Sequence, residues 1–248
     1  MSNRPTSRST RPSAASARIT AAQSPNRTPW FIGGAVALVV VLSLVVAIIL
    51  TSSSDQSPAT TPEAQATGIT VVPKGNVEFG KVQSTGSALP DQPDGAPDPA
   101  LGLAVPSLSG QQFDGSAIEI PAAGTPKVVM FLAHWCPHCQ KEVPLIADHL
   151  STTGLPDGVD LFAVATSTSS DASNYPPSDW LAKEGWPIPT LVDDESFSAA
   201  TAYGIGGFPF FVAVGADGKV VARTSGELTV AQFTALIDTA RSGARAAS

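Results

Sequence analysis

Between Trp30 and Leu50 the chain carries 21 consecutive residues without a charge (WFIGGAVALVVVLSLVVAIIL). At ~1.5 Å rise per helical residue such a run reaches roughly 30 Å, the thickness of a bilayer's hydrocarbon core. It is therefore expected to be one N-terminal transmembrane helix, and the parts on either side of it must be read separately. Arg4, Arg8, Arg11, Arg18 and Arg27 precede the run, with no acidic residue among them. A basic leader stays in the cytoplasm, so everything after Leu50 is expected on the outer side, tied to membrane lipid through residues 30–50. A cleaved secretory signal competes with this, since Thr51-Ser52-Ser53 offers a weak cleavage site, but the leader and the apolar core are both longer than such signals usually have. No cysteine lies near the span, which excludes lipoprotein processing.

The formal charge of −7 hides a split. Removing the five leading arginines leaves nine basic against 21 acidic residues, a charge of −12 on the remainder. An acidic body without a basic, aromatic-interleaved stripe repels a phosphate backbone, so nucleic acid is excluded as a partner. Residues 1–29, rich in Ser, Thr, Arg, Ala and Pro, are expected to be a disordered cytoplasmic tail. Residues 51–100 are expected to be an extracytoplasmic linker: 51–66 has tether composition, and 67–100 mixes short β-like runs with a Pro/Gly/Asp cluster. The folded domain is expected over 101–242, followed by a tail at 243–248.

Within that domain the pattern alternates between strands and helices. Phe113–Ile120 predicts a turn and a strand, Lys127–Ala133 a strand apolar on both faces, and Val159–Ala165 a second buried strand. Helices are predicted from Pro137 to about Leu150, from Pro177 to Gly185 with Ser178 or Asp179 as cap, over Ser196–Tyr203, and over Thr229–Arg241. Trp186–Asp193 predicts a Pro-interrupted strand, and Ala216-Asp217-Gly218 predicts a hairpin between Phe210–Val214 and Lys219–Arg223. The class is α/β, a sheet layered between helices.

The chemistry-bearing residues are concentrated in His134-Trp135-Cys136-Pro137-His138-Cys139, after a buried strand and at a helix start. A CxxC placed there is a redox signature. The helix N-terminus favours an anionic sulfur at Cys136, and Cys139 lies one turn on. Cys136 is thus expected to be the exposed nucleophile, and Cys139 the more buried thiol that closes or resolves the disulfide. A structural disulfide across two residues would restrain little chain. A zinc site could draw on Cys136, Cys139, His134 and His138, but it lacks the usual second ligand pair at a distance. No metal and no cofactor is expected. His134 is expected at the surface, His149 has no evident role, and Lys183, Glu184 and Asp193-Asp194-Glu195 are read as solvated faces.

WCPHC after KVVMFLA, Pro144 within the following helix, and Gly207-Phe208-Pro209 before FFVAV together resemble the thioredoxin superfamily over residues 101–242. The resemblance implies a thioredoxin-like fold, a central mixed sheet between helices. It also implies a helix kinked at Pro144 and a cis bond between Phe208 and Pro209 facing the disulfide. There the backbone of Phe208 would pair with an extended client. Trp135, on its own position beside the cysteines, is expected to pack there and shape the rim as a half-exposed aromatic does. The GQQFDG segment and the additional strand and helix around 177–203 are most similar to the membrane-anchored TlpA/ResA-type branch, whereas Pro137-His138 is the dipeptide of DsbA-type oxidases. The superfamily's buried acid six residues before the first cysteine is replaced here by Met130.

The expected activity is thiol–disulfide exchange on cysteine-containing client proteins, with a membrane redox partner resetting Cys136 and Cys139. An oxidase or isomerase is the leading expectation, because His138 would stabilise the Cys136 thiolate. A TlpA/ResA-type reductase for cytochrome c or copper-site maturation is the alternative, and a Cys/His metal-binding module is the alternative of another class.

Overall fold

Lys127–Leu132 (β4) is buried at every position, as a strand covered on both faces must be. The computed structural model describes residues 71–244 apart from 73 and 94–96. The expected tail 1–29, span 30–50 and tether 51–66 lie outside the described residues, and among the described residues no helix is long and apolar enough to cross a membrane. β4 pairs in parallel with β5 (Asp160–Ala165) and antiparallel with β7 (Phe210–Val214). β6 (Thr190–Val192) and β8 (Val220–Ser225) complete a mixed sheet of order β6-β5-β4-β7-β8.

Because side chains alternate along a strand, β4 feeds two separate apolar clusters. Val128, Met130 and Leu132 join Val143, Ile146 and Leu150 of α1 (Pro137–Thr153), Trp180 and Leu181 of α2 (Pro177–Lys183), and Phe233, Leu236 and Ile237 of α4 (Val230–Ser242). Val129 and Phe131 pack on the other face with Ala199 and Tyr203 of α3 (Ser198–Tyr203). Leu108 of β2 (Ser107–Gln111) and Ile118 and Ile120 of β3 (Ala117–Ile120) join them there.

The described part of the expected linker is corrected. β1 (Gln83–Thr85) pairs antiparallel with β2, which pairs with β3 in a second, three-stranded sheet. Val72, Leu89 and Ala100 are buried in the two clusters, so the folded unit starts well before residue 101. Backbone bonds hold the approach: Val72 N–H to Trp186 O, Gly80 N–H to Asp193 O and Leu89 N–H to Ala202 O. Three further expectations are corrected. The strand predicted over Trp186–Asp193 is only Thr190–Val192. The N-cap of α2 is Pro176, without a side-chain bond, while Ser178 is buried and its hydroxyl donates to Gly75 O and Glu78 Oε1. Asp193 is buried rather than solvated, and its carboxylate accepts from Thr166 Oγ1 and from the Ala199 and Ala200 N–H groups at the start of α3.

Candidate active site

β4 delivers the chain to a turn at Ala133–Trp135, and α1 begins at once, with Cys136 as N-cap and Pro137 at the first helical position. Proline suits that position, since its missing N–H would have had no helical partner. The Cys136 side chain makes no capping bond, so its sulfur stands at the positive end of a 17-residue helix. Pro144 lies inside the same helix, where it cannot donate to the carbonyl of Gln140.

Both cysteines are free thiols. Cys136 is 6% exposed and Cys139 0%, so the expected order of accessibility holds while the expectation of an open Cys136 does not. Trp135 is 38% exposed beside it and packs edge-on against Phe208, with ring centroids 5.9 Å apart. The Phe208–Pro209 bond is cis, and Phe208 O accepts from the Cys136 thiol at 3.6 Å. Phe208 thus stands at Cys136 with Trp135 against its ring, and Pro209 follows it through the cis bond. The strand order explains this: β7 begins at the end of the sheet where β4 finishes, through the pairing of Phe131 with Phe210.

Burial pushes the Cys139 thiol far above its ordinary range, outweighing an opposing backbone hydrogen bond at Ala133; Cys136 and Glu142 add to the rise. Glu142 was missed from the sequence. It lies three residues after Cys139, so both occupy one face of α1, and it is only 1% exposed. One carboxylate oxygen accepts from Leu228 N–H at 2.8 Å, and the other has no hydrogen-bond partner. Burial raises its carboxyl to about 7, against the Leu228 bond that lowers it, and Glu227 adds to the rise. A charged residue in the row Cys139, Val143, Ile146, Leu150 was the signal available, since that row is the helix face that must enter the core.

His138 is exposed, and its Nδ1 pairs with Glu227 Oε1, which also accepts from Lys141 Nζ at 3.2 Å. These bonds from His138 and Lys141 hold the Glu227 carboxyl low. Any positive charge on His138 is therefore matched by a carboxylate. His134 is buried, 1% exposed, which corrects its surface placement. Its Nδ1–H donates to Ser173 O at 2.7 Å, and its Nε2 accepts from Ser169 N–H at 3.1 Å. Burial pushes its imidazole below the ordinary range despite the Ser173 bond. With both His134 nitrogens occupied, the four-ligand zinc set is not assembled, and among the described residues no three His, Cys, Asp or Glu side chains converge as a metal site. His149 lies on the distal part of α1, remote from the dithiol.

A mixed sheet with a CxxC dithiol at the first turn of the helix after its central strand, facing a cis-proline loop, defines a thioredoxin-like thiol–disulfide oxidoreductase. The Redoxin family model matches residues 95–237, and the chain belongs to that family. The thiol–disulfide oxidoreductase ResA of Bacillus thuringiensis (strain Al Hakam) is 26% identical over 134 residues, covering 54% of this chain and 74% of that protein. Among solved structures, StoA from Bacillus subtilis is 21% identical, covers 55% of this chain and 93% of its own, and has a TM-score of 0.43. An uncharacterised conserved protein from Geobacillus kaustophilus is 21% identical, covers 68% and 90%, and has a TM-score of 0.49.

Proposed function

We propose that this oxidoreductase is a membrane-anchored, extracytoplasmic reductase of protein disulfides of the TlpA/ResA type. The observation that carries the direction is Glu142, buried on the Cys139 face of α1 with one oxygen unpartnered. In the forward reaction the Cys136 thiolate attacks a client disulfide, forming a mixed disulfide and releasing one client sulfur, which takes up a proton. Cys139 then attacks Cys136, closing the Cys136–Cys139 disulfide and releasing the second client thiol. Two electrons pass from the dithiol to the client, and a membrane dithiol donor restores them. The second step requires Cys139 to lose a proton that burial holds tightly, and we assign the base to Glu142, which lies one turn on along the same helix face and is near enough for its charge to raise the Cys139 thiol. It supplies from the helix what Met130 cannot supply from the strand.

The charge around Cys136 supports the same direction. The oxidase reading rests on His138 of the Pro137-His138 dipeptide stabilising the thiolate, but Glu227 offsets that imidazole. Less thiolate stabilisation leaves the disulfide a weaker oxidant. Anchoring and sidedness rest on the uncharged run at 30–50 and the basic leader before it.

Equilibration with thiol buffers tests the direction. The expected potential lies nearer thioredoxin's value of about −270 mV than DsbA's of about −120 mV, and His138→Pro shifts it by less than about 30 mV. A wild-type value close to DsbA's, or a large negative shift in His138→Pro, would establish the oxidase instead.

A further inference from the structure

The loop 167–174 (STSSDASN) runs from the end of β5 towards α2, and none of its residues is buried. It has no apolar anchor, and Ser167 and Asn174 adopt left-handed backbone conformations (φ 52° and 59°). Its position is fixed instead by side chains and backbone of the active-site turn. The His134 imidazole grips it twice, at Ser173 O and Ser169 N–H. Trp135 Nε1–H donates to Ser167 O at 2.7 Å. Gln140 Nε2 bridges His134 O at 3.0 Å and Ser173 Oγ at 3.2 Å, and Asn174 Nδ2 donates to His134 O at 3.4 Å.

β5 and β7 lie on opposite sides of β4. The turn that carries Cys136 is therefore flanked by this polar loop on one side and by Phe208–Pro209 on the other. We propose that His134 is a positioning residue for client binding: it sets the 167–174 loop and, with it, the Trp135 indole as one wall of the groove that holds an extended cysteine-containing segment over Cys136. His134 touches neither the sulfurs nor the client and acts through the loop. A buried imidazole satisfies both nitrogens on the loop only as the neutral Nδ1–H tautomer, so donor and acceptor are matched to two backbone groups four residues apart.

This inference rests on the thiol–disulfide reading, and the test separates the two. The full-length chain would be assayed for reduction of a short synthetic peptide carrying an intramolecular disulfide, with dithiothreitol as electron donor, and KM and kcat determined separately. His134→Ala is expected to raise KM about tenfold while kcat falls less than about threefold, a loss of binding rather than of chemistry. His134→Asn places an amide nitrogen near the Nδ1 position and is expected to recover part of the affinity through Ser173. Trp135→Phe keeps a ring against Phe208, removes the Ser167 bond, and is expected to raise KM by a smaller factor. Amide exchange at Ser169 should speed up in both His134 variants. An unchanged KM in His134→Asn and Trp135→Phe, or a fall in kcat at constant KM, overturns the proposal even if His134→Ala does not fold. Failure of the wild-type chain to reduce the peptide, or full turnover by Cys136→Ser, overturns the oxidoreductase reading itself and the inference with it.

Discussion

The Glu142 carboxyl titrates near 7 in the folded chain, against an ordinary 4.5. Across that window the folded state retains a proton that the unfolded state has released. Its contribution to stability is therefore complete below about pH 4.5 and lost as pH rises through about 7, amounting to about 3 kcal/mol at most. Glu142→Gln keeps an acceptor for Leu228 N–H and cannot ionise. Urea denaturation should show the variant close to wild type at pH 4.5 and more stable by roughly 2–3 kcal/mol at pH 8. Catalysis moves the opposite way. Resolution of a mixed disulfide by Cys139 should accelerate through pH 7 in wild type and lose that limb in Glu142→Gln, measured by stopped-flow release of the client thiol. Equal stability differences at both pH values would mean that Glu142 is not buried as an acid.

Among the elements, the segment from Leu89 to Ala100 shows what a pattern of alternating polarity cannot announce. β4 and β7 were legible as short continuous apolar runs and α1 from apolar residues repeating at helical spacing, and Gly218 marked the β7–β8 turn. In the N-terminal approach Val72, Leu89 and Ala100 are isolated, each filling a separate gap in clusters built by distant residues. His134 and Glu142 were illegible for a related reason, since the partners that allow their burial lie 35–39 and 86 residues away. What fastens the approach is Arg223, whose guanidinium sits in the second cluster's shell. It donates to Asp98, with Nε at 2.9 Å from Oδ2, to the carbonyls of Pro90, Tyr203 and Gly204, and lies 5.8 Å from the Phe210 ring centre. Gly204 is required at the crossing: its φ is +57°, and a Cβ there would lie 2.4 Å from Pro90 O. Burial pushes the Asp98 carboxyl up, but its bonds to Arg223 and the Ala100 N–H prevail and hold it low. Asp98→Asn should cost about 3 kcal/mol near pH 7, since it leaves a buried guanidinium uncompensated. A depressed acid stabilises above its unfolded pKa, so the penalty should shrink as pH falls below 3.8. Denaturation at pH 7 and pH 3 checks both; a penalty independent of pH would mean that only packing was lost.

For the whole molecule the expected outcome concerns sidedness. Protease added to intact spheroplasts should release the domain by cutting within 51–66, while an epitope placed on the Arg-rich leader stays protected until lysis. Deleting residues 30–50 should move the domain from the membrane fraction to the soluble one. Protection of the domain in cells shown to be intact would reverse the assigned orientation. The aromatic residues of the described structure carry one further consequence. Trp180 and Trp186 are enclosed in the apolar interior, whereas Trp135 is partly open to water, adjoins Cys136 in sequence and is fastened to Ser167 through its indole N–H. Its emission should therefore register both the oxidation state of the neighbouring sulfur and the seating of the polar loop. Among the described residues the chain thus carries an optical gauge at its reacting edge, beside two indoles shielded from water.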